Sequence, residues 1–108
     1  MVELDGHRLT LDDVLSVARK GDSATLASSA AAAVAESRVV VERAMAKGQA
    51  VYGVTTGFGH LASVTIAPEE RAQLQENLIK NHAAGVGPEL PQDVVRAMLL
   101  LRTNALAK

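Results

Sequence analysis

The stretch Tyr52-Gly53-Val54-Thr55-Thr56-Gly57-Phe58-Gly59-His60 gathers the side chains of this 108-residue sequence best suited to chemistry. Three glycines between Tyr52 and Gly59 free the backbone for positive φ and for close approach to a ligand. Thr55 and Thr56 bring hydroxyls that can tie such a loop to its own backbone. A tyrosine at the leading edge of a glycine-rich loop can be swung over a pocket as a proton-transfer group. The residue types leave a second reading open, in which Tyr52 and Phe58 anchor an ordinary connection between helices. A phosphate cradle fails on detail: no Gly-Lys-Ser/Thr follows, and the glycine spacing is not that of a dinucleotide-binding turn.

A second group lies in Leu74-Gln75-Glu76-Asn77-Leu78-Ile79-Lys80-Asn81-His82-Ala83-Ala84-Gly85-Val86-Gly87. On a helix, Leu74, Leu78 and Asn81 share one line and Gln75, Ile79 and His82 the next, so Asn81 and His82 continue stripes that began apolar. This pattern places the pair near a pocket wall, at a helix end suited to reading a polar ligand. A hydrogen-bonded structural histidine is the alternative. His7, His60 and His82 lack metal-ligand spacing and no carboxylate pair completes a site, so no metal is expected.

The elements that must position these groups are mostly helical. Val2, Leu4, His7 and Leu9 flank Asp5-Gly6, which predicts a small two-stranded hairpin at the start. Thr10 as N-cap, Asp12 and Asp13 in the first turn and Gly21 as stop predict a short helix. Ser23 to Lys47 is the longest helical candidate, with Leu26, Ala30, Val34, Val41 and Met45 on one face and Gly48 at its end. Its run Ala30 to Ala33 favours helix and close helix packing. Pro68 with Glu69 and Glu70 starts a helix that runs to about Ala84, stopped by Gly85. Pro91 starts the last, whose Val94, Val95, Met98, Leu99, Leu101, Ala105 and Leu106 are apolar nearly all round, as in a helix buried among others. No stop signal follows it, so a longer protein is expected to continue beyond Lys108.

Composition narrows the partners. Eleven basic and twelve acidic residues, interspersed, give a net charge of −1, which offers neither a nucleic-acid footprint nor a basic membrane patch. No cysteine is present, no basic-then-apolar leader opens the chain, and the apolar run Ala97 to Leu101 is far below the roughly 20 residues of a membrane helix. A cytoplasmic chain with no nucleic-acid or membrane partner is the expectation. With a single Tyr and a single Phe the core must be aliphatic, and a core of Ala, Val and Leu packs thinly without further chain or other subunits.

Taken together, Tyr52-Gly-Val-Thr-Thr-Gly-Phe-Gly59, Leu74-Gln-x-Asn-Leu78 with His82-Ala-Ala-Gly-Val-Gly87, and Arg102-x-Asn-x-Leu-Ala-Lys108 resemble consecutive N-terminal blocks of the aromatic amino acid ammonia-lyases, most of all those of the histidine type. The resemblance spans the chain from about residue 2 to its end. It implies elimination of ammonia from an aromatic L-amino acid to the trans-α,β-unsaturated acid, trans-urocanate where the substrate is L-histidine. It also implies a 4-methylidene-imidazole-5-one (MIO) electrophile, which the family makes by cyclising an internal Ala-Ser-Gly. Tyr52 matches the proposed base that removes a β-proton, on an inner lid loop formed by Gly53, Thr55, Thr56, Gly57 and Phe58. Gly59, Asn81 and His82 match substrate-binding positions. The family tells substrates apart at the pair matching Asn81-His82: histidine lyases usually show Ser-His there, tyrosine-selective relatives His-Leu and phenylalanine-selective ones Phe-Leu. His82 points to histidine and Asn81 departs from the pattern. Arg102 and Asn104 also match and read as structural groups that need partners in a buried helix.

The resemblance therefore implies a mainly α fold. It implies that residues 1–108 form a single N-terminal helical domain with a small β-hairpin and a glycine-rich lid loop, part of a larger, mostly helical lyase that assembles as a homotetramer. No Ala-Ser-Gly occurs; Ala27-Ser28-Ser29 and Ala62-Ser63-Val64 come nearest and lack the glycine. The cofactor is expected to form outside this chain, leaving residues 1–108 inactive alone. The alternatives are a tyrosine or phenylalanine ammonia-lyase segment, and a non-catalytic helical assembly module.

Overall fold

The first helix begins as its residue types require. The Thr10 hydroxyl accepts the Asp13 N–H at 3.2 Å and the Asp13 carboxylate returns to the Thr10 N–H at 3.0 Å, a closed capping box. The Thr10 hydroxyl first, then its N–H, holds the Asp13 carboxyl below its ordinary range. Helix α1, Leu11–Leu15, runs on into a π-helical turn, Ser16–Lys20, which Gly21 ends in the left-handed conformation with φ of 80°.

The computed structural model describes residues 1–108, in two units: Met1–Arg38 with Pro88–Lys108, and Val39–Gly87. In the first unit, strand β1 is Val2–Leu4 and strand β2 is Ala24–Leu26; helix α2, Ser28–Ala46, begins there and ends in the second unit. Helix α3, Arg71–His82, belongs to the second unit and helix α4, Gln92–Leu106, to the first. Pro68–Glu70 forms a 3₁₀ turn that leads into α3.

The expected N-terminal hairpin is not formed. β1 pairs with β2 in parallel, Val2 opposite Ala24 and Leu4 opposite Leu26, through a crossover that includes α1. Asp5 and Gly6 do make a turn, but its donors are already committed. The Asp5 carboxylate takes the N–H groups of His7 and Arg8, each at 2.8 Å, and Gly6 donates to the Asn104 side-chain oxygen at 3.0 Å. A ladder from residues 7–9 back onto β1 has lost the groups it needs. A Cβ on Gly6 would stand 2.9 Å from the Ala107 carbonyl oxygen, so this turn must carry glycine to lie against the end of α4.

The second helix starts at Ser28 rather than Ser23. Val2 donates to the Ser23 carbonyl and Ala27 to the Leu4 carbonyl, so the backbone from Ser23 to Ala27 is used by the sheet and Leu26 belongs to β2. Val2, Leu4, Val17 and Leu100 form one core cluster, with Leu9 and Val14 packed against it. Ala27, Ala30 and Ala107 form another, where small side chains allow close approach. The Asn104 side-chain oxygen has its partner in the Gly6 N–H. Arg102 is exposed, and of the apolar residues of α4 only Leu100 is buried: Val94, Val95, Met98, Leu99, Leu101 and Leu106 stay exposed, because the elements of this unit cover one stripe of the helix. Helix α3 ends at His82, two residues before the expected Ala84, with Ala83 as C-cap.

Candidate functional site

Between α2 and α3 the glycine-rich stretch folds into two legs joined by a reversal. Val54 and Thr55 both donate to the Val51 carbonyl at 3.0 Å, which makes a tight turn around Tyr52 and Gly53. Thr56 and Thr65 form an isolated antiparallel bridge, flanked by Gly57 N–H to Val64 O at 3.1 Å and Ile66 N–H to Thr55 O at 2.9 Å. The reversal contains a 3₁₀ turn, Gly59–Leu61.

The two threonines tie the loop to its own backbone, and this is what buries them. The Thr55 hydroxyl donates to the Gln49 carbonyl at 2.6 Å and accepts the Val51 N–H at 2.8 Å, and the side chain is 1% exposed. The Thr56 hydroxyl donates to the Gly57 carbonyl at 3.2 Å. A buried hydroxyl without such partners would be costly, so these bonds and the burial require one another.

Each glycine answers a different constraint. Gly53 has φ of 70°, and a Cβ there would stand 2.7 Å from the Phe58 ring. Gly57 has no left-handed backbone; a Cβ would meet the Leu61 Cβ at 2.6 Å, so it is glycine for space alone.

Tyr52 is 63% exposed, and its ring meets Phe58 edge to face at a centroid distance of 5.8 Å and an interplanar angle of 79°. Its phenol oxygen accepts the Gly59 N–H at 3.3 Å. The two aromatics of the chain are thus both anchors of the loop and the means by which a phenol is held out toward solvent. An exposed, oriented phenol is placed to exchange a proton with a bound molecule.

Asn81 and His82 lie exposed in the last turn of α3. The His82 Nδ1 is 2.8 Å from the Leu78 carbonyl one turn earlier. A carbonyl only accepts, so this contact places the proton on Nδ1 and leaves Nε2 of the neutral ring as an acceptor. Gln75 does not stand out as a site residue in the sequence, yet its amide Nε2 donates to the Gly53 carbonyl at 2.8 Å. The signal that could have found it is its place at the head of the Gln75, Ile79, His82 row. Arg71 Nε donates to the Ile66 carbonyl at 3.2 Å, which fastens the second leg to the start of the same helix.

Neither near-match to Ala-Ser-Gly fits the cyclised electrophile. Ala27 is buried in the alanine cluster and Ser28 and Ser29 are the first residues of α2. In Ala62-Ser63-Val64 the third residue carries a side chain, and its N–H is engaged by the Leu61 carbonyl at 3.0 Å.

The sequence pattern of the family described as aromatic amino acid lyase matches residues 9–108. A histidine ammonia-lyase of Streptococcus pyogenes serotype M49 (strain NZ131) is 50% identical over 108 residues, all of this chain and 21% of that protein. Among solved structures, the ergothioneine-degrading enzyme ergothionase from Treponema denticola superposes with a TM-score of 0.92 at 33% identity, over 98% of this chain and 21% of that one. A tyrosine aminomutase from Streptomyces globisporus does so with a TM-score of 0.90 at 34% identity, over 98% of this chain and 20% of that one. The chain thus spans about a fifth of the length of the relatives it matches.

Proposed function

Because this chain belongs to the aromatic amino acid lyase family, we propose that it is the N-terminal part of an ammonia-lyase that converts an aromatic L-amino acid, L-histidine foremost, to the trans-unsaturated acid, here trans-urocanate. The observation that carries this reading is the phenol of Tyr52, held exposed on a loop whose own backbone and aromatic ring orient it. In the elimination, Tyr52 acting as the phenolate takes the β-proton and becomes the phenol, the pair from the C–H bond becomes the Cα=Cβ bond, and the C–N pair leaves with the ammonia nitrogen. The Gly59 N–H donates to the oxygen that takes the proton and so sets its direction. Gly53, Thr55, Thr56, Gly57 and Phe58 are the lid that carries it.

Histidine is favoured as substrate by His82 and by the 50% identity to a histidine ammonia-lyase. With Nδ1 engaged by Leu78, Nε2 of His82 is free to accept an N–H from a substrate imidazole, beside the Asn81 amide. Tyrosine and phenylalanine are the runners-up; a neighbour named for tyrosine shares this architecture at 34% identity. Asn81 and His82 are where the choice is made.

The MIO electrophile belongs to the full-length protein and supplies its electron sink. Residues 1–108 alone are inactive on this reading, since they carry the base and part of the substrate wall. A cytoplasmic homotetramer is proposed for the full-length enzyme. The exposed apolar surface of α4, which further chain or other subunits would cover, supports the assembly; no helix here is long and apolar enough to cross a membrane.

The test is turnover by the full-length protein that contains this segment. L-histidine should give the absorbance of urocanate, and Tyr52→Phe should lower kcat by about 10²- to 10⁴-fold, the range of a lost general base, with the fold retained. Unchanged turnover in Tyr52→Phe would remove Tyr52 as the base. Absence of product from histidine, tyrosine and phenylalanine alike would end the lyase reading.

A further inference from the structure

Helix α3 does more than carry Asn81 and His82. Gln75, in its second turn, reaches across 22 positions of sequence to the Gly53 carbonyl at 2.8 Å, the residue directly after Tyr52. Gly53 also lies against Phe58, whose ring leaves no room for a Cβ, and Phe58 is the edge-to-face partner of Tyr52. The residue that follows the tyrosine is therefore held by both a ring of the loop and an amide of the helix. From Gln75 the same row of α3 continues through Ile79 to His82, seven residues on, a rise of about 10 Å along the axis.

We propose that Gln75 is a positioning residue: its side-chain amide latches the Gly53 carbonyl and so fixes the Tyr52 loop against the helix that ends in His82. One rigid row then sets the spacing between the group that moves the proton and the group that reads the substrate ring. The catalytic half of this statement rests on the function proposed above; the latch itself does not. Gln75 touches no reacting atom on this account and acts through the backbone beside Tyr52. A side-chain amide suits the task because it has a donor of the right reach.

The experiment uses the full-length enzyme with three substitutions at this position. Gln75→Leu and Gln75→Glu keep the bulk and lose the donor, whereas Gln75→Lys keeps a donor on a long stem. Backbone amide exchange across residues 53–59 is read without substrate, and kcat and KM are read with L-histidine. The latch predicts about five-fold or greater acceleration of exchange in Gln75→Leu and Gln75→Glu, the scale of one lost hydrogen bond, and near-native exchange in Gln75→Lys. It predicts kcat lower by roughly ten- to a hundred-fold in the first two, with a smaller change in KM, and recovery of most of the loss in Gln75→Lys. Unchanged exchange in Gln75→Leu and Gln75→Glu overturns the latch, whatever the kinetics. Faster exchange with native kcat overturns its positioning role. If the wild-type enzyme turns over no aromatic amino acid, the lyase reading and the catalytic half of the proposal fall together, and the exchange data alone uphold or overturn the latch.

Discussion

Replacing Thr55 by valine keeps the shape of a side chain that is 1% exposed and removes only its hydroxyl. That hydroxyl serves two main-chain groups, the Gln49 carbonyl at 2.6 Å and the Val51 N–H at 2.8 Å. A lost hydrogen bond of this kind costs about 0.5–1.5 kcal/mol. Gln49 is exposed and its carbonyl can turn to water, while Val51 is half-buried and its N–H is left worse off, so the sum falls at about 1–2 kcal/mol. At roughly 1.4 kcal/mol per factor of ten, the equilibrium between closed and locally opened loop shifts by about 5- to 30-fold. The assay is backbone amide exchange of Val54 to Gly59 in the full-length protein, with thermal unfolding alongside. Exchange should accelerate by that factor while the melting temperature moves little, because the loop opens as a local unit before the molecule unfolds. Thr55→Ser is the control, since it keeps both bonds and loses a buried methyl worth about 0.8 kcal/mol. Wild-type exchange in Thr55→Val, or a larger effect from serine than from valine, would show that packing of the methyl and not the two hydrogen bonds holds the turn.

The glycines and the N-terminal turn give two further expectations. Alanine at position 53 meets both a φ of 70° and the Phe58 ring, at 57 the side chain of Leu61 at 2.6 Å, and at 59 a φ of 55° with open space. The melting temperature and the kcat of the full-length enzyme should therefore fall most for Gly53→Ala, less for Gly57→Ala and least for Gly59→Ala, whose backbone cost is about 1–2 kcal/mol. A uniform series would contradict the spatial argument. At the other end, the Arg8 side chain first, and then the N–H groups of Arg8 and His7, hold the Asp5 carboxyl well below its ordinary range. A lowered native pKa contributes stability that is present above the unfolded value of about 3.9 and is lost as the pH falls below it. Asp5→Asn should melt below wild type at pH 7, and the gap should close as the pH is taken under about 4. A gap that does not change between neutral and acid pH would rule out the charge as its origin.

Local chemistry made most of the helices legible in the sequence. Thr10 with Asp13, Gly21, Gly48, Pro68 and Pro91 mark boundaries through bonds or dihedrals that their own neighbours satisfy, and all of them mark a boundary to within a residue or three. The absent hairpin and the late start of α2 have one cause. Apolar residues at Val2 and Leu4 need a strand partner, and sequence alone offers the nearest, across Asp5-Gly6. The actual partner, Ala24–Leu26, is chosen because α1 returns the chain beside β1 and because Asp5 and Asn104 consume the donors of the turn. Leu26 satisfies a helical period and a strand edge equally well, so periodicity could not decide it.

The same division runs through the candidate site. The need for glycine and for short hydroxyl side chains between residues 52 and 59 is readable from residue types, because positive φ and self-bonding are properties of the segment itself. Which glycine yields to a ring, which to a leucine and which to a dihedral depends on how the loop folds back, and only the folded structure shows that. Gln75 is the sharper case. A glutamine at the head of a half-apolar helical row looks like a solvated residue, and its spacing from Ile79 and His82 says only that they share a face. Its meaning comes from an acceptor 22 positions earlier, a carbonyl exposed by the backbone turn that Gly53 makes possible. The loop and the helix can each be recognised separately in sequence. The bond that relates the tyrosine of one to the histidine row of the other arises from the turn at Gly53, and Gln75 is where that relation can be broken without touching either.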